Sequence, residues 1–129
     1  MTLDVFLESF DEFDRDAVET ALARNGIAGE RADVNTTDGG VARLELDDDG
    51  VAFFVDMLTR DLASVLLDVA REARLAILPA DGTATAIVVG TVQVPDELEP
   101  VTVRTSGQLY EALRQSVTRK EEMRGARQA

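Results

Sequence analysis

Leu3, Val5 and Leu7 alternate with Asp4 and Glu8 at the start of the chain. This is the two-residue period of a strand with one wet face, and it predicts a first strand over residues 2–10 with Phe6 and Phe10 on the more polar side. A helix is expected next. Asp14 or Asp16 can cap it, Glu19 follows Asp16 at capping-box spacing, Ala17, Val18, Ala21 and Leu22 form its apolar stripe, and Asn25-Gly26 ends it. Residues 27–40 contain the turn cluster TTDGG and read as a long loop or as a short strand at Ala32–Thr36. Then Ala42, Leu44 and Leu46 alternate with Arg43, Glu45 and Asp47, and Val51, Phe53, Val55 and Met57 repeat the pattern beyond DDDG. The second run mirrors the first, so a hairpin is predicted, with Asp49-Gly50 expected to supply the positive φ angles of a two-residue turn.

From Thr59, a candidate N-cap, the period becomes helical through Leu62, Val65, Leu66 and Val69, with Arg60, Asp61, Asp68 and Glu72 on the other side. A short buried strand, LAILP, follows and stops at Asp81-Gly82. The order to residue 80 is therefore β-α-β-β-α-β. We expect an α+β fold with a ferredoxin-like antiparallel sheet, both helices on one face, one or two additional strands (84–94, with Gly90 as a bulge, and Val101–Thr105) and a C-terminal helix capped by Ser106. Residues 1–117 read as a single α+β domain, and residues 118–129 as a charged tail that loses its apolar row and frays.

Composition narrows the function. Forty-five per cent of the 129 residues are hydrophobic but only 5% are aromatic, so Ala, Val and Leu must fill the core. Cysteine and histidine are both absent. Disulfides, thiolate nucleophiles, Cys- or His-ligated metals and the common Ser-His-Asp and Cys-His catalytic sets are thereby removed. No phosphate-binding G-x-x-x-x-G-K-[ST] or dinucleotide glycine pattern occurs, and the start MTLDVFLESFDEFDRD has neither a basic leader region nor a membrane-length apolar run. The expectation is a cytoplasmic protein with no cofactor, no metal, no membrane association and no enzymatic turnover.

Charge adds a direction. The net charge of −12 comes from 14 Asp and 11 Glu against 12 Arg and one Lys, a field that repels phosphate backbones and argues against direct nucleic-acid binding. Host salt or GC-rich codons would produce this acidity with no partner at all; the alternative is a basic protein partner. Residues 1–105 carry 8 Arg and 22 acids, net −14, whereas residues 106–129 carry 5 basic and 3 acidic side chains, net +2. The acidic field belongs to the main body.

Carboxylates are the remaining source of chemistry, as an acid–base pair or as oxygen ligands for Mg²⁺ or Ca²⁺. Asp47-Asp48-Asp49 does not match a calcium loop, because its acids are adjacent, Gly50 follows at once and the next acid is Asp56. A different feature stands out. If Leu3, Val5, Leu7, Leu44, Leu46, Phe53 and Val55 face the helices, the opposite face presents Asp4, Phe6, Glu8, Phe10, Arg43, Glu45, Phe54 and Asp56. Charge around exposed rings is the pattern of an interface, unless residues 84–105 or the last helix fold over that face.

The stretch VLLDVAREARLAILPADG, followed by VPDELEPVTVRTSGQLYEAL, resembles small immunity proteins of bacterial polymorphic toxin systems over roughly residues 41–115. The resemblance lies in rhythm rather than in a diagnostic motif, and it carries no catalytic residue. It implies neutralisation of a basic toxin, such as a nuclease, by direct binding. Asp4, Glu8, Glu45, Asp47, Asp48, Asp49 and Asp56 would then meet toxin cations, and Phe6 or Phe54 would anchor the contact. Without such a partner, the sheet face suits a regulatory or structural module that forms a homodimer.

Overall fold

The computed structural model describes the backbone of residues 2–128 and the side chains of residues 2–122. Within them ten elements follow in order: β1 (Leu3–Glu8), α1 (Arg15–Arg24), β2 (Arg31–Asn35), β3 (Val41–Leu46), β4 (Gly50–Met57), α2 (Arg60–Ala73), β5 (Ala76–Pro79), β6 (Thr85–Val89), β7 (Glu99–Val103) and α3 (Ser106–Gln128). The architecture is α+β. Its sheet has seven strands in the order β2-β3-β4-β1-β5-β6-β7, antiparallel throughout except for the parallel pair β6-β7.

This is a larger sheet than the four-stranded ferredoxin-like one expected, and two local causes explain the difference. TTDGG forms a tight turn in which Thr36 N–H donates to the Gly40 carbonyl at 2.9 Å, so Arg31–Asn35 folds back onto β3 and three strands, not two, separate α1 from α2. Residues 85–103 then supply two strands that extend the sheet beyond β5. Gly90, at φ 73°, ends β6 and is not a bulge within a longer strand.

Asp14 caps α1 by accepting from Ala17 N–H at 3.0 Å, and Thr59 caps α2 by accepting from Leu62 N–H. Asn25-Gly26 closes α1 as predicted, with Gly26 at φ 75°. The last helix is capped one residue earlier than expected. Thr105 Oγ1 accepts from Gln108 N–H, and Gln108 Oε1 accepts from the N–H groups of Arg104 and Thr105, a reciprocal capping box with Thr105 in place of Ser106.

A single buried cluster draws side chains from every element, so the three helices cover one face of the sheet. Phe53 is its largest member and is fully buried, among Leu, Val, Ile and Ala. Each deletion of such a side chain costs about 2–5 kcal/mol, because the lost contacts leave a cavity. α3 continues to Gln128, over residues 118–128 of the charged segment expected to fray; residue 129 and the side chains from residue 123 onward lie outside the described residues. Two contacts tie its second half to the sheet. Arg119 pairs with Asp81 in the β5-β6 turn at 2.8 Å, and Lys120 Nζ donates to the Thr2 carbonyl at 2.8 Å.

Candidate protein-binding face

Strand register decides which side chains share the face away from the helices. Asp4 lies opposite Phe54, Phe6 opposite both Ala52 and Leu78, and Glu8 opposite Gly50 and Ala76. On the other side of β4, Arg43 pairs with Phe54 and Glu45 with Ala52; farther out, Arg31 pairs with Glu45 and Asp33 with Arg43. The expected set Asp4, Phe6, Glu8, Glu45, Phe54 and Asp56 is thus brought onto one surface.

Phe6 and Phe54 meet edge to face, with ring centroids 6.4 Å apart at 90°. Ala52, directly across from Phe6, is too small to cover its ring, and Phe6 stays 36% exposed. The pairing steadies both rings by about 0.5–1.5 kcal/mol beyond their burial while leaving apolar surface in water. Beside Phe54 a shallow hollow of about 530 Å³ is bounded by Asp33, Asn35, Arg43 and Asp56. Carboxylates at Asp4, Glu8, Asp33, Glu45 and Asp56 outnumber the guanidiniums of Arg31 and Arg43 on this face.

Neither β6, β7 nor α3 closes over this aromatic pair. The strands continue the sheet sideways and α3 packs beside α2. Ala76, Ala86 and Val88 point to the same outer face and are buried all the same, so its far end is closed. The open part is the surface of β2, β3, β4 and β1.

The aspartate triplet sits at one end of this surface and divides by role. Asp47 N–H donates to the Gly50 carbonyl at 3.0 Å, which makes Asp48-Asp49 the tip of the turn, and neither residue nor Gly50 has positive φ. The expected Asp49-Gly50 turn is therefore corrected. Gly50 is needed because β1 approaches closely: a Cβ there would stand 3.1 Å from the Leu7 carbonyl oxygen. Asp48 accepts from Arg15 at 2.8 Å, and the same guanidinium holds Glu30 at 2.8 Å and Glu19 at 3.1 Å. Arg15 thereby clasps the start of α1, the entry to β2 and the hairpin tip; Asp47 and Asp49 make no ion pair among the described residues.

A larger open cleft, about 1270 Å³, lies between the β1-α1 loop, the end of α2 and residues 91–95. Phe10 belongs there, past the end of β1, and not on the sheet face where it was expected. The cleft's loop is satisfied internally, since Ser9 Oγ donates to the Glu12 carbonyl and accepts from Asp11 N–H, while Asp14 is occupied as the α1 cap. Among the described residues no group of three or more acids is close enough to hold a metal ion, and no helix is long and apolar enough to cross a membrane.

Comparison with family models, curated proteins and solved structures gives no match. The site consequently rests on its geometry.

Perturbed carboxylates lie away from this face and have structural roles. Asp38 is pulled down to about 2 by hydrogen bonds from the Thr36 and Thr59 hydroxyls, joined by the N–H groups of Asp61 and Gly40. Asp68 is held below its ordinary value by Arg24, which grips it at 2.6 Å across the α1-α2 contact. At Asp81 burial pushes the carboxyl up, but Thr83 and Arg119 outweigh it and hold it low. Sequence reasoning missed all three, because each partner is remote in the chain or hidden in a turn.

Proposed function

We propose that this protein acts by binding rather than by turnover, and that it is a cytoplasmic immunity protein which neutralises a basic toxin, such as a nuclease, through the open sheet face. The observation that carries this reading is the pair of an exposed Phe6 and a half-buried Phe54 inside a ring of carboxylates. Aromatic anchors supply affinity when water is excluded around them, and the acidic ring accelerates encounter with a cationic partner and fixes its orientation. On this reading β3-β4-β1-β5 with α1 and α2 is a ferredoxin-like nucleus. β2, added at its β3 edge, widens the open face.

The test is co-expression with the toxin of a neighbouring reading frame. The wild-type chain should relieve growth arrest and form a complex that weakens as salt rises, and Phe6→Ser with Phe54→Ser should raise Kd by about 30-fold or more. A complex that forms equally well without both rings and at high salt would refute this face as the docking surface, and failure of any basic toxin to bind at low salt would refute the function.

A further inference from the structure

The two edges of the sheet differ in a way that points to a second copy of this chain. At the β7 edge, Glu99 N–H donates to the Ala84 carbonyl at 2.7 Å, so the alternate residues Pro100 and Thr102 turn their backbone outward. Proline offers no N–H there, and that edge is blunted. At the β2 edge, Glu30 O accepts from Leu46 N–H at 2.7 Å and Thr36 N–H donates to Gly40 O at 2.9 Å, so the even-numbered residues face β3. Arg31, Asp33 and Asn35 therefore turn both N–H and C=O away from the sheet, with no proline among them. Their side chains are exposed, and among the described residues neither Arg31 nor Asp33 makes an ion pair.

We propose that β2 pairs antiparallel with β2 of a second copy, on a two-fold axis through Ala32. In this register Arg31 of each chain stands opposite Asp33 of the other, and each such pair exchanges both outward backbone hydrogen bonds. The edge is self-complementary: one two-fold operation satisfies both charges, whereas sliding the strands to set Asp33 against Asp33 opposes like charges. A foreign antiparallel strand would have to carry this same Arg-x-Asp pattern, which a second copy supplies by itself. The pairing joins two sheets edge to edge and leaves the face around Phe6 and Phe54 open on both copies, so it does not depend on the function proposed above.

Sedimentation equilibrium of the full chain across a concentration series tests this. Wild type should reach a dimer, and Arg31→Asp or Asp33→Arg alone should raise its dissociation constant by about tenfold or more. The exchanged pair R31D/D33R should return it to near the wild-type value. Asp33→Pro removes an outward N–H that β3 does not use, and should abolish the dimer while circular dichroism and melting stay native. A monomer at every concentration overturns the proposal, as does a dimer indifferent to the reversals or to D33P; if D33P fails to fold, the charge exchange decides.

Discussion

Replacing Asp81 by asparagine removes one charge from a carboxylate whose side chain is fully buried, and so tests how α3 is held against the sheet. Asp81 accepts from Thr83 N–H at 3.0 Å and from the Thr83 hydroxyl at 2.5 Å, while Arg119 donates to it through Nε at 3.2 Å and Nη2 at 2.8 Å. An asparagine can still accept from Thr83 but presents an amide donor, or a weaker acceptor, to the guanidinium. Removing one member of a fully buried pair costs about 3–5 kcal/mol; Arg119 is 39% exposed and water can take up part of its hydrogen bonding, so about 2 kcal/mol is expected. For a chain of this size that lowers Tm by roughly 6–10 °C. The assay is urea unfolding at neutral pH on D81N, Arg119→Met and the double variant, whose coupling should be about 1–2 kcal/mol. Because the folded carboxyl lies below its unfolded value, its contribution is present above about pH 4 and is lost as pH falls through the folded value, so D81N should lack that part of the acid limb. A D81N protein within about 0.5 kcal/mol of wild type, or a cycle with no coupling, would refute the account.

Gly40→Ala should destabilise by about 2–4 kcal/mol in the same urea assay, because its Cβ would collide with the hydroxyls of Thr36 and Thr59 and crowd Leu62, breaking the turn that docks on the start of α2. Asp38→Asn removes a carboxyl held at about 2, so wild type should lose stability as pH falls from about 4 through about 2, and D38N should lose less over that range by thermal melting. Arg74 caps α2 in the left-handed region at φ 55°, and Arg74→Gly should gain about 0.5–1 kcal/mol by relieving that cost. Gly50→Ala should cost about 1 kcal/mol through contact with the Leu7 carbonyl, whereas Asp49→Gly, at the solvent-facing tip and without positive φ, should change stability by less than about 0.5 kcal/mol; a clear gain in D49G by denaturation would instead support a positive-φ turn there, and a neutral G50A would refute the close-approach account.

The parts of the fold legible in the sequence were those written in a local period. Leu3, Val5 and Leu7, and the pair of runs Ala42–Leu46 and Val51–Val55, specify their strands and buried face within a few residues, and Leu62 to Val69 does the same for α2. What escaped was set by partners distant in the chain. β2, one of the two readings of residues 27–40, has only Val34 buried, too little alternation to decide between strand and loop, and it is set by the edge that β3 offers once TTDGG turns the chain. The β6-β7 pairing is parallel and joined by an irregular connector, which local pattern does not encode. The outer face was legible because alternation that buries one row exposes the other, so Phe6, Phe54 and their acidic neighbours followed from the same period that placed the core. The partner of Asp48 within the fold was not legible for the opposite reason: Arg15, which holds it, lies 33 residues away.

That clasp separates acidity used within the fold from acidity open to a partner. Arg15 gathers Glu19, Glu30 and Asp48, Arg24 holds Asp68 and reaches Glu72 at 3.7 Å, and Arg119 holds Asp81. These cations act at the helices and turns and leave the sheet face with its excess of carboxylates. At physiological salt, charges separated by more than about 8 Å are largely screened, so a cationic partner responds to the acids nearest its path and not to the total of −12. Asp4, Glu8, Glu45 and Asp56 surround the aromatic pair and can meet such a partner directly, whereas Asp48 is already compensated by Arg15. Charge reversal should distinguish the two groups: at Asp56 or Asp4 it should slow association with a basic partner and leave folding nearly unchanged, because these side chains make no ion pair among the described residues. At Asp48 it should first loosen the clasp, with a loss of up to about 1 kcal/mol for an exposed pair. Measuring association rate and unfolding on the same variants would show whether the hairpin tip belongs to the docking face or to the fold, and equal effects of Asp48 and Asp56 on association would place both in the interface.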